Sequence, residues 1–272
     1  MERALGLMCG AGVLPALMAV QARRQGWRVI AFAFAFADAA AITPHADRVV
    51  PSRLSELGPV LTLLQEEKIS GVLFSGRFRL DDVLRTDVTD AAHARMAGEA
   101  GALVDTRLTA VAVGTLSALG IELLDQRPFL GESLAGEGCW TQRAPSEAEW
   151  DDVRRGLEVA RLVADASVGQ TVVVKRGAVS AVEAVEGTTE TIRRGTSLSG
   201  PGAVIVKVAA TAHDFRFDTP VVGPETIEVA AAGQAAAVAV EAGRVLVLDR
   251  AETVRRADAA GIALLGVDAG AR

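Results

Sequence analysis

From residue 4 to residue 124, short apolar runs alternate with helical stretches, and this alternation restricts the fold more tightly than any other feature of the chain. Residues 4–9, 28–34, 47–50, 71–74 and 121–124 read as strands, and apolar periodicity marks helices over 14–25, 54–67, 81–103 and 108–119. Strands that alternate with helices of this length pair in parallel, with helices covering both faces of the sheet and right-handed crossovers. The expected first domain is therefore a Rossmann-like, parallel-sheet α/β unit over residues 1–128.

Between residues 126 and 143 the pattern stops. Pro128, Gly131, Gly136 and Gly138 break any periodicity, which places an interdomain crossing at 129–145. Ser146, followed at the right spacing by Glu149, forms a capping-box pair that opens a helix running to about residue 165. Strands over 170–175 and 178–186 flank Arg176-Gly177 as a hairpin. Helix 188–194, strand 204–208, helix 224–241, strand 245–248, helix 251–259 and strand 262–266 follow. A second, mixed α/β domain is expected over 146–272.

Composition narrows the function. The chain has 272 residues and is 50% hydrophobic, enough for substantial cores. Aromatics are scarce, there is no tyrosine, and the lysines are Lys68, Lys175 and Lys207. A net charge of -6 leaves no basic stripe for a phosphate backbone and argues against nucleic acid. Cys9 and Cys139 suit a reducing cytoplasm and read as small packed hydrophobes. The opening apolar run stops at a glycine-rich turn, which does not suit a signal peptide. The run over 29–42 is interrupted by Asp38 and is too short to span a bilayer. A soluble, cytoplasmic protein is expected. His45, His93 and His213 show no metal-ligand spacing.

The polar residues around position 214 carry the most chemistry. Asp214, Arg216 and Asp218 are separated by Phe215 and Phe217. In an extended segment, the charged three would share one face and the phenylalanines the other. Carboxylates so placed can bind Mg²⁺ or orient water, and an arginine between them can hold phosphate. A half-buried strand with a solvated ion pair accounts for the same pattern equally well. Pro220 and Gly223-Pro224 turn the chain afterwards.

Gly10-Ala11-Gly12 lies between the first strand and first helix, where backbone N–H groups and the helix dipole favour phosphate. Gly-x-Gly without a third glycine is as readily a structural turn. A dinucleotide-dependent oxidoreductase is a minor alternative, because Asp38, the one acidic candidate for a ribose contact, comes late. Ser75-Gly76-Arg77 ends the fourth strand on the same sheet edge. Glu183 and Glu186 precede Gly187-Thr188. In the plain alternative Glu183 faces solvent and Thr188 caps the next helix; in the functional one Glu186 binds metal or ribose and Thr188 donates to phosphate.

Taken in order, these segments resemble the LpxI family, the UDP-2,3-diacylglucosamine pyrophosphatases of lipid A synthesis. Lys207, Asp214, Arg216, Asp218, Pro220, Gly223, Pro224 and Thr226 match the family's C-terminal signature, whose Lys-Pro falls on Ala210-Thr211 and whose Gln falls on His213. Gly6, Leu7, Gly10, Gly12, Leu14 and Pro15 match its opening motif, and residues 137–141, 145–147, 169–175 and 181–188 are similar to its linker and second-domain motifs. The resemblance implies hydrolysis of the pyrophosphate of UDP-2,3-diacylglucosamine to UMP and 2,3-diacylglucosamine 1-phosphate, with a divalent metal, Mg²⁺ or Mn²⁺. It implies catalytic roles for Asp214, Asp218 and Arg216, with Asp214 and Asp218 as metal ligands. It implies substrate binding by Gly10, Gly12, Gly76, Glu186, Thr188 and Lys207. A lipid-linked UDP-sugar also implies transient contact with the inner-membrane surface, weak for an acidic protein. A homo-oligomer is left open. The alternative is a catalytically silent member that keeps nucleotide-sugar or lipid binding without the Lys-Pro.

Overall fold

The computed structural model of the protein describes residues 3–34, 37–53, 56–78 and 105–268, with side chains throughout except at 105–110. The helix expected over 81–103, with His93, lies outside the described residues. The chain divides into two compact units. One comprises Met1–Leu130 with Asp214–Asp218, the other Gly131–His213 with Thr219–Arg272.

In the first unit, β1 (Arg3–Cys9), β2 (Trp27–Phe34), β3 (Arg48–Ser52), β4 (Gly71–Ser75) and β5 (Glu122–Leu123) form one sheet in the order β3-β2-β1-β4-β5. Every pairing is parallel. This is the strand order of a doubly wound sheet, with the reversal between β1 and β4. The helices are α1 (Leu14–Arg24), α2 (Ala39–Ile42), α3 (Leu57–Glu66) and α4 (Asp105–Ala118). Alternation along the strands sorts the two cores. Ala4, Met8, Ile30, Phe32 and Val72 pack beneath Val60 and Leu64 of α3 and Leu116 of α4. Leu5, Leu7 and Cys9 take the other face, where α1 buries Met18, Ala19 and Ala22. Burial pushes the Cys9 thiol up to about 12, so it packs as the small hydrophobe expected.

The second unit holds a six-stranded sheet in the order β6-β13-β11-β9-β7-β8. Its strands are β6 (Gly138–Cys139), β7 (Thr171–Lys175), β8 (Ala178–Val182), β9 (Val204–Lys207), β11 (Ala237–Glu241) and β13 (Ala263–Val267). β9, β11 and β13 run parallel, while β6 and the β7–β8 hairpin are antiparallel to their neighbours. β10 (Val221–Val222) and β12 (Leu246–Val247) form a separate parallel pair. On one face α5 (Glu147–Asp165) packs Val153, Ala160 and Ala164 on Val172, Val174, Val204 and Val206. The other face buries Val173, Ile205, Val238 and Leu264 beneath α6 (Gly187–Ser199), α7 (Pro224–Ala232) and α8 (Arg250–Ala259).

Three expectations are corrected. The helix expected over 224–241 is two elements, α7 and β11, broken at Gly233-Gln234. Alanine favours helix locally, but residues 237–241 lie between β9 and β13 with both faces buried, and that tertiary position overrides propensity. The stretch at 126–143, read as a crossing without periodicity, also carries regular structure, because Gly138 and Cys139 add an edge strand to β13. Cys139 is exposed on that short edge rather than packed.

The expected hairpin is present and is held from outside its own strands. The Asp152 carboxylate of α5, 5% exposed, accepts from the backbone N–H of Arg176 at 2.8 Å and of Gly177 at 2.6 Å. Asp152→Ala would leave both donors without that partner, so it should lower unfolding stability by about 1–3 kcal/mol. Urea unfolding measures this, and an unchanged midpoint would show that water replaces the carboxylate at no cost.

Candidate active site

At the carboxyl edge of the first sheet, the loops leaving β1 and β4 touch through their backbones. Gly10 N–H donates to Ser75 O at 2.7 Å, Ala11 N–H to Arg77 O at 3.0 Å and Arg77 N–H to Ala11 O at 2.9 Å. A Cβ on Gly10 would lie 2.7 Å from the Arg77 carbonyl oxygen, and one on Gly76 would lie 2.7 Å from that of Ala11. Both positions are therefore glycine because two backbones meet there. Gly12 differs: among the described residues a Cβ on it would meet nothing within 4 Å, and it leads into the N-terminus of α1, which none of the described side chains caps. Asp38, weighed above for ribose, instead caps α2 by accepting from Ala41 N–H at 3.1 Å.

Asp214–Asp218 belongs to this first unit. It is a turn and not the extended segment expected, since Phe217 N–H bonds back to Asp214 O at 3.3 Å. Asp214 Oδ1 accepts from Arg216 N–H at 3.1 Å and from Arg216 Nε at 2.8 Å, while Oδ2 accepts from the other arm of the guanidinium at 2.7 Å. That fork raises the pKa of Arg216. Short-range side chain–backbone bonding of this kind favours a turn over a strand ladder. Phe215 is buried and Phe217 packs with Phe74, ring centroids 5.5 Å apart. The charged groups are thus displayed and the phenylalanines held, as the alternation suggested, by a different backbone.

Sequence reasoning passed over Asp125-Gln126-Arg127, the segment that follows β5. Its Gln126 N–H donates to Phe215 O at 2.9 Å, and Arg127 lies 4.2 Å above the Phe215 ring. Burial works to raise the Asp125 pKa, but the Arg127 side chain and backbone N–H outweigh it and hold the carboxyl below its usual range. Asp-x-Arg recurs at 105–107, 125–127, 152–154 and 214–216, so the spelling alone could not single this segment out.

In the second unit two buried charges, Lys207 and Glu241, stand along the edge where β9 and β11 end. Lys207 Nζ donates to Thr188 Oγ1 at 2.7 Å and Thr171 Oγ1 at 3.2 Å, with Glu183 Oε2 at 3.7 Å. Thr188 passes the chain on, donating to Glu183 Oε1 at 2.8 Å. Glu183 does not face solvent as the plain alternative had it. It is buried as the counter-charge to Lys207. Glu186, not Thr188, stands at the N-cap of α6, and its own backbone N–H and Arg194 hold its carboxyl below the ordinary value.

Farther along, buried Glu241 accepts from Arg161 and from Ala209 N–H at 2.9 Å, and forms an ion pair with Arg244 Nε at 3.2 Å. Arg161 also binds Ala209 O, and Arg244 binds the carbonyls of Ala210 and Thr211. A cation therefore stands on the two residues that replace the Lys-Pro of the signature.

Among the described residues, no group of three or more His, Cys, Asp or Glu is arranged to hold a metal. Both carboxylate oxygens of Asp214 accept from Arg216 and Asp218 is exposed, so a cation at this turn would need oxygens from a bound phosphate as well as these carboxylates.

Residues 4–133 match the LpxI N-terminal domain and residues 136–265 the LpxI C-terminal domain. The chain belongs to the LpxI family. A relative from Caulobacter vibrioides (strain ATCC 19089 / CIP 103742 / CB 15), named UDP-2,3-diacylglucosamine pyrophosphatase LpxI, is 30% identical over 98% of this LpxI chain and 98% of its own. Among solved structures, CobK precorrin-6A reductase aligns at 12% identity over 99% of this chain and 89% of that one, with a TM-score of 0.32. UDP-glucose-4-epimerase from Stenotrophomonas maltophila aligns at 17% identity over 44% of this chain and 35% of that one, with a TM-score of 0.27. Neither structural likeness carries an argument about this LpxI member.

The ring around Lys207 has a measurable consequence. Removing one partner of a buried pair strands the other, so Lys207→Met should destabilise the protein by about 3–5 kcal/mol. Combining it with Glu183→Gln should recover most of that loss. A Lys207→Met protein with wild-type stability would mean that the pair does not hold this sheet edge together.

Proposed function

We propose that this LpxI member hydrolyses the pyrophosphate of UDP-2,3-diacylglucosamine to UMP and 2,3-diacylglucosamine 1-phosphate, a step of lipid A synthesis. The observation that carries this reading is the likeness, over nearly the full length of both chains, to the Caulobacter relative of that name. The chemistry of the turn at Asp214 supports it. A pyrophosphate repels an incoming hydroxide, so its hydrolysis needs positive charge on the phosphoryl oxygens and a fixed carboxylate to orient water. Arg216 supplies the first, already aligned by its fork to Asp214, and can share its N–H groups with a phosphoryl oxygen. Asp214 and Asp218 supply the second.

We infer that Mg²⁺ or Mn²⁺ is the cofactor, held by Asp214 and Asp218 together with substrate phosphate. Bound there, it would neutralise phosphoryl oxygens. Gly12 and the start of α1 offer N–H groups to another anionic part of the substrate. In this reading Gly10 and Gly76 shape the loop beside Gly12 through the backbone contacts described above, and Glu186, Thr188 and Lys207 of the second unit have substrate-binding roles of their own. The lipid-linked substrate would bring the protein to a membrane surface transiently; no helix among the described residues is long and apolar enough to cross one.

Asp214→Asn and Asp218→Asn should both fold normally, and at least one should lose turnover by roughly a hundredfold or more. Release of UMP from UDP-2,3-diacylglucosamine is the assay. Full rates in both variants would move the reaction away from this turn. Substrate binding by the wild type without UMP release would establish instead a silent binding protein.

Chelation separates the cofactor from the site. EDTA should stop UMP release, and added Mg²⁺ or Mn²⁺ should restore it. Undiminished activity in chelator would remove the metal from the reaction, and with it the metal-binding roles of Asp214 and Asp218, while leaving the fold untouched.

A further inference from the structure

We propose that Arg127 is a positioning residue for Asp214 and Arg216, acting through a second copy of the same Asp-x-Arg turn. The inference rests on the function proposed above. Residues 125–127 and 214–216 share more than a spelling. In the first, Asp125 Oδ1 accepts from Arg127 N–H at 2.8 Å, and the two carboxylate oxygens accept from Arg127 Nε at 3.1 and 3.0 Å, with the guanidinium's other arm on Oδ2. In the second, Asp214 makes the corresponding bonds to Arg216. Each aspartate fixes the plane of the arginine two residues on.

The two turns are joined, and the join falls on the residue between Asp214 and Arg216. Gln126 N–H donates to Phe215 O at 2.9 Å, and the Arg127 guanidinium lies on the Phe215 ring at 4.2 Å. The Gln126 side-chain amide donates to Phe74 O at 3.2 Å, and the Phe74 ring packs on Phe217. The Asp214 turn is therefore pinned by both its phenylalanines to the carboxyl edge of the first sheet, Phe217 through Phe74 of β4 and Phe215 through Arg127. An exposed ion pair contributes little to stability by itself. Here Arg127 is 39% and Asp125 34% exposed, so the pair's value lies in orientation. Bound edge-on by Asp125, the guanidinium presents a flat face to Phe215, which a lysine ammonium cannot do. Losing that face frees the ring on which the Asp214 and Arg216 backbone turns.

Arg127→Met keeps the aliphatic stem and removes the fork, and Arg127→Lys keeps the charge without the plane. Hydrogen–deuterium exchange on the free protein should show the Phe215–Phe217 amides exchanging roughly tenfold faster in either variant, with β9 unchanged, as expected of a local opening. The kcat for UDP-2,3-diacylglucosamine should fall by about tenfold or more in both, with KM within about twofold, since the loss falls on groups that act in the transition state. Lysine should not rescue. Unchanged exchange overturns the proposal whatever the turnover. Faster exchange with full kcat overturns it too, because the turn would then be held for stability alone. A wild-type protein that releases no UMP defeats the proposed function, while the exchange data still decide whether Arg127 holds the turn.

Discussion

Both large sheets of this protein are covered on two faces, and that requirement decides where its polar chemistry can lie. Parallel strands with helices on either side must be apolar along their length. The strands here comply: Leu5, Leu7, Val172, Val173, Val174, Val204 and Val206 are all fully buried. A charge in mid-strand would be desolvated with nothing to pair it. The groups with chemical interest therefore stand where strands stop, with Lys207 and Glu241 the last residues of β9 and β11 and Asp125 just beyond β5.

At those strand ends the charges are paired, and the pairs shape the chain that follows. Lys207 closes a ring with Glu183 and two threonines, while Glu241 draws in Arg161 and Arg244. Buried pairs of this kind need not add stability over apolar packing, but breaking one is costly, so they hold geometry firmly. Arg161, Arg244 and Asp165 bind consecutive backbone groups from Ala209 to Thr211, the stretch that leads to Asp214. That stretch lacks the Lys-Pro of the family signature, and its place is braced by side chains from α5 and from the loop after β11.

Much of the fold was legible because it is encoded locally. The capping box at Ser146 and Glu149 opens α5, with both of its hydrogen bonds formed. Strand–helix alternation placed the first sheet to within a residue or two at most ends, and Arg176-Gly177 marked the hairpin. Failures came where local preference and tertiary position disagree. The alanines of β11 suit a helix, yet they fill the narrow space between two strands and two helical layers. Residues 214–218 alternate like a strand, yet the Asp214 side chain captures the Arg216 backbone and turns the chain. The separation of their charges from their phenylalanines is present, on a backbone that the alternation did not indicate.

Periodicity and capping signals by themselves determined two α/β units, and the motifs around them pointed to the family. Each depends only on neighbours within a few residues, where helix and strand geometry set which side chains share a face. Only the tertiary structure decided which polar groups meet. Glu183 became the counter-charge of Lys207 because β7 lies between β8 and β9 and Thr171 stands at their shared edge. Asp125 came to flank Asp214 because β5 closes the first sheet beside β4, and Phe217 packs against β4. An apolar pattern tells a chain which face to bury but not what will cover it, and strand order, which brings distant residues to one edge, is a property of the whole packed core.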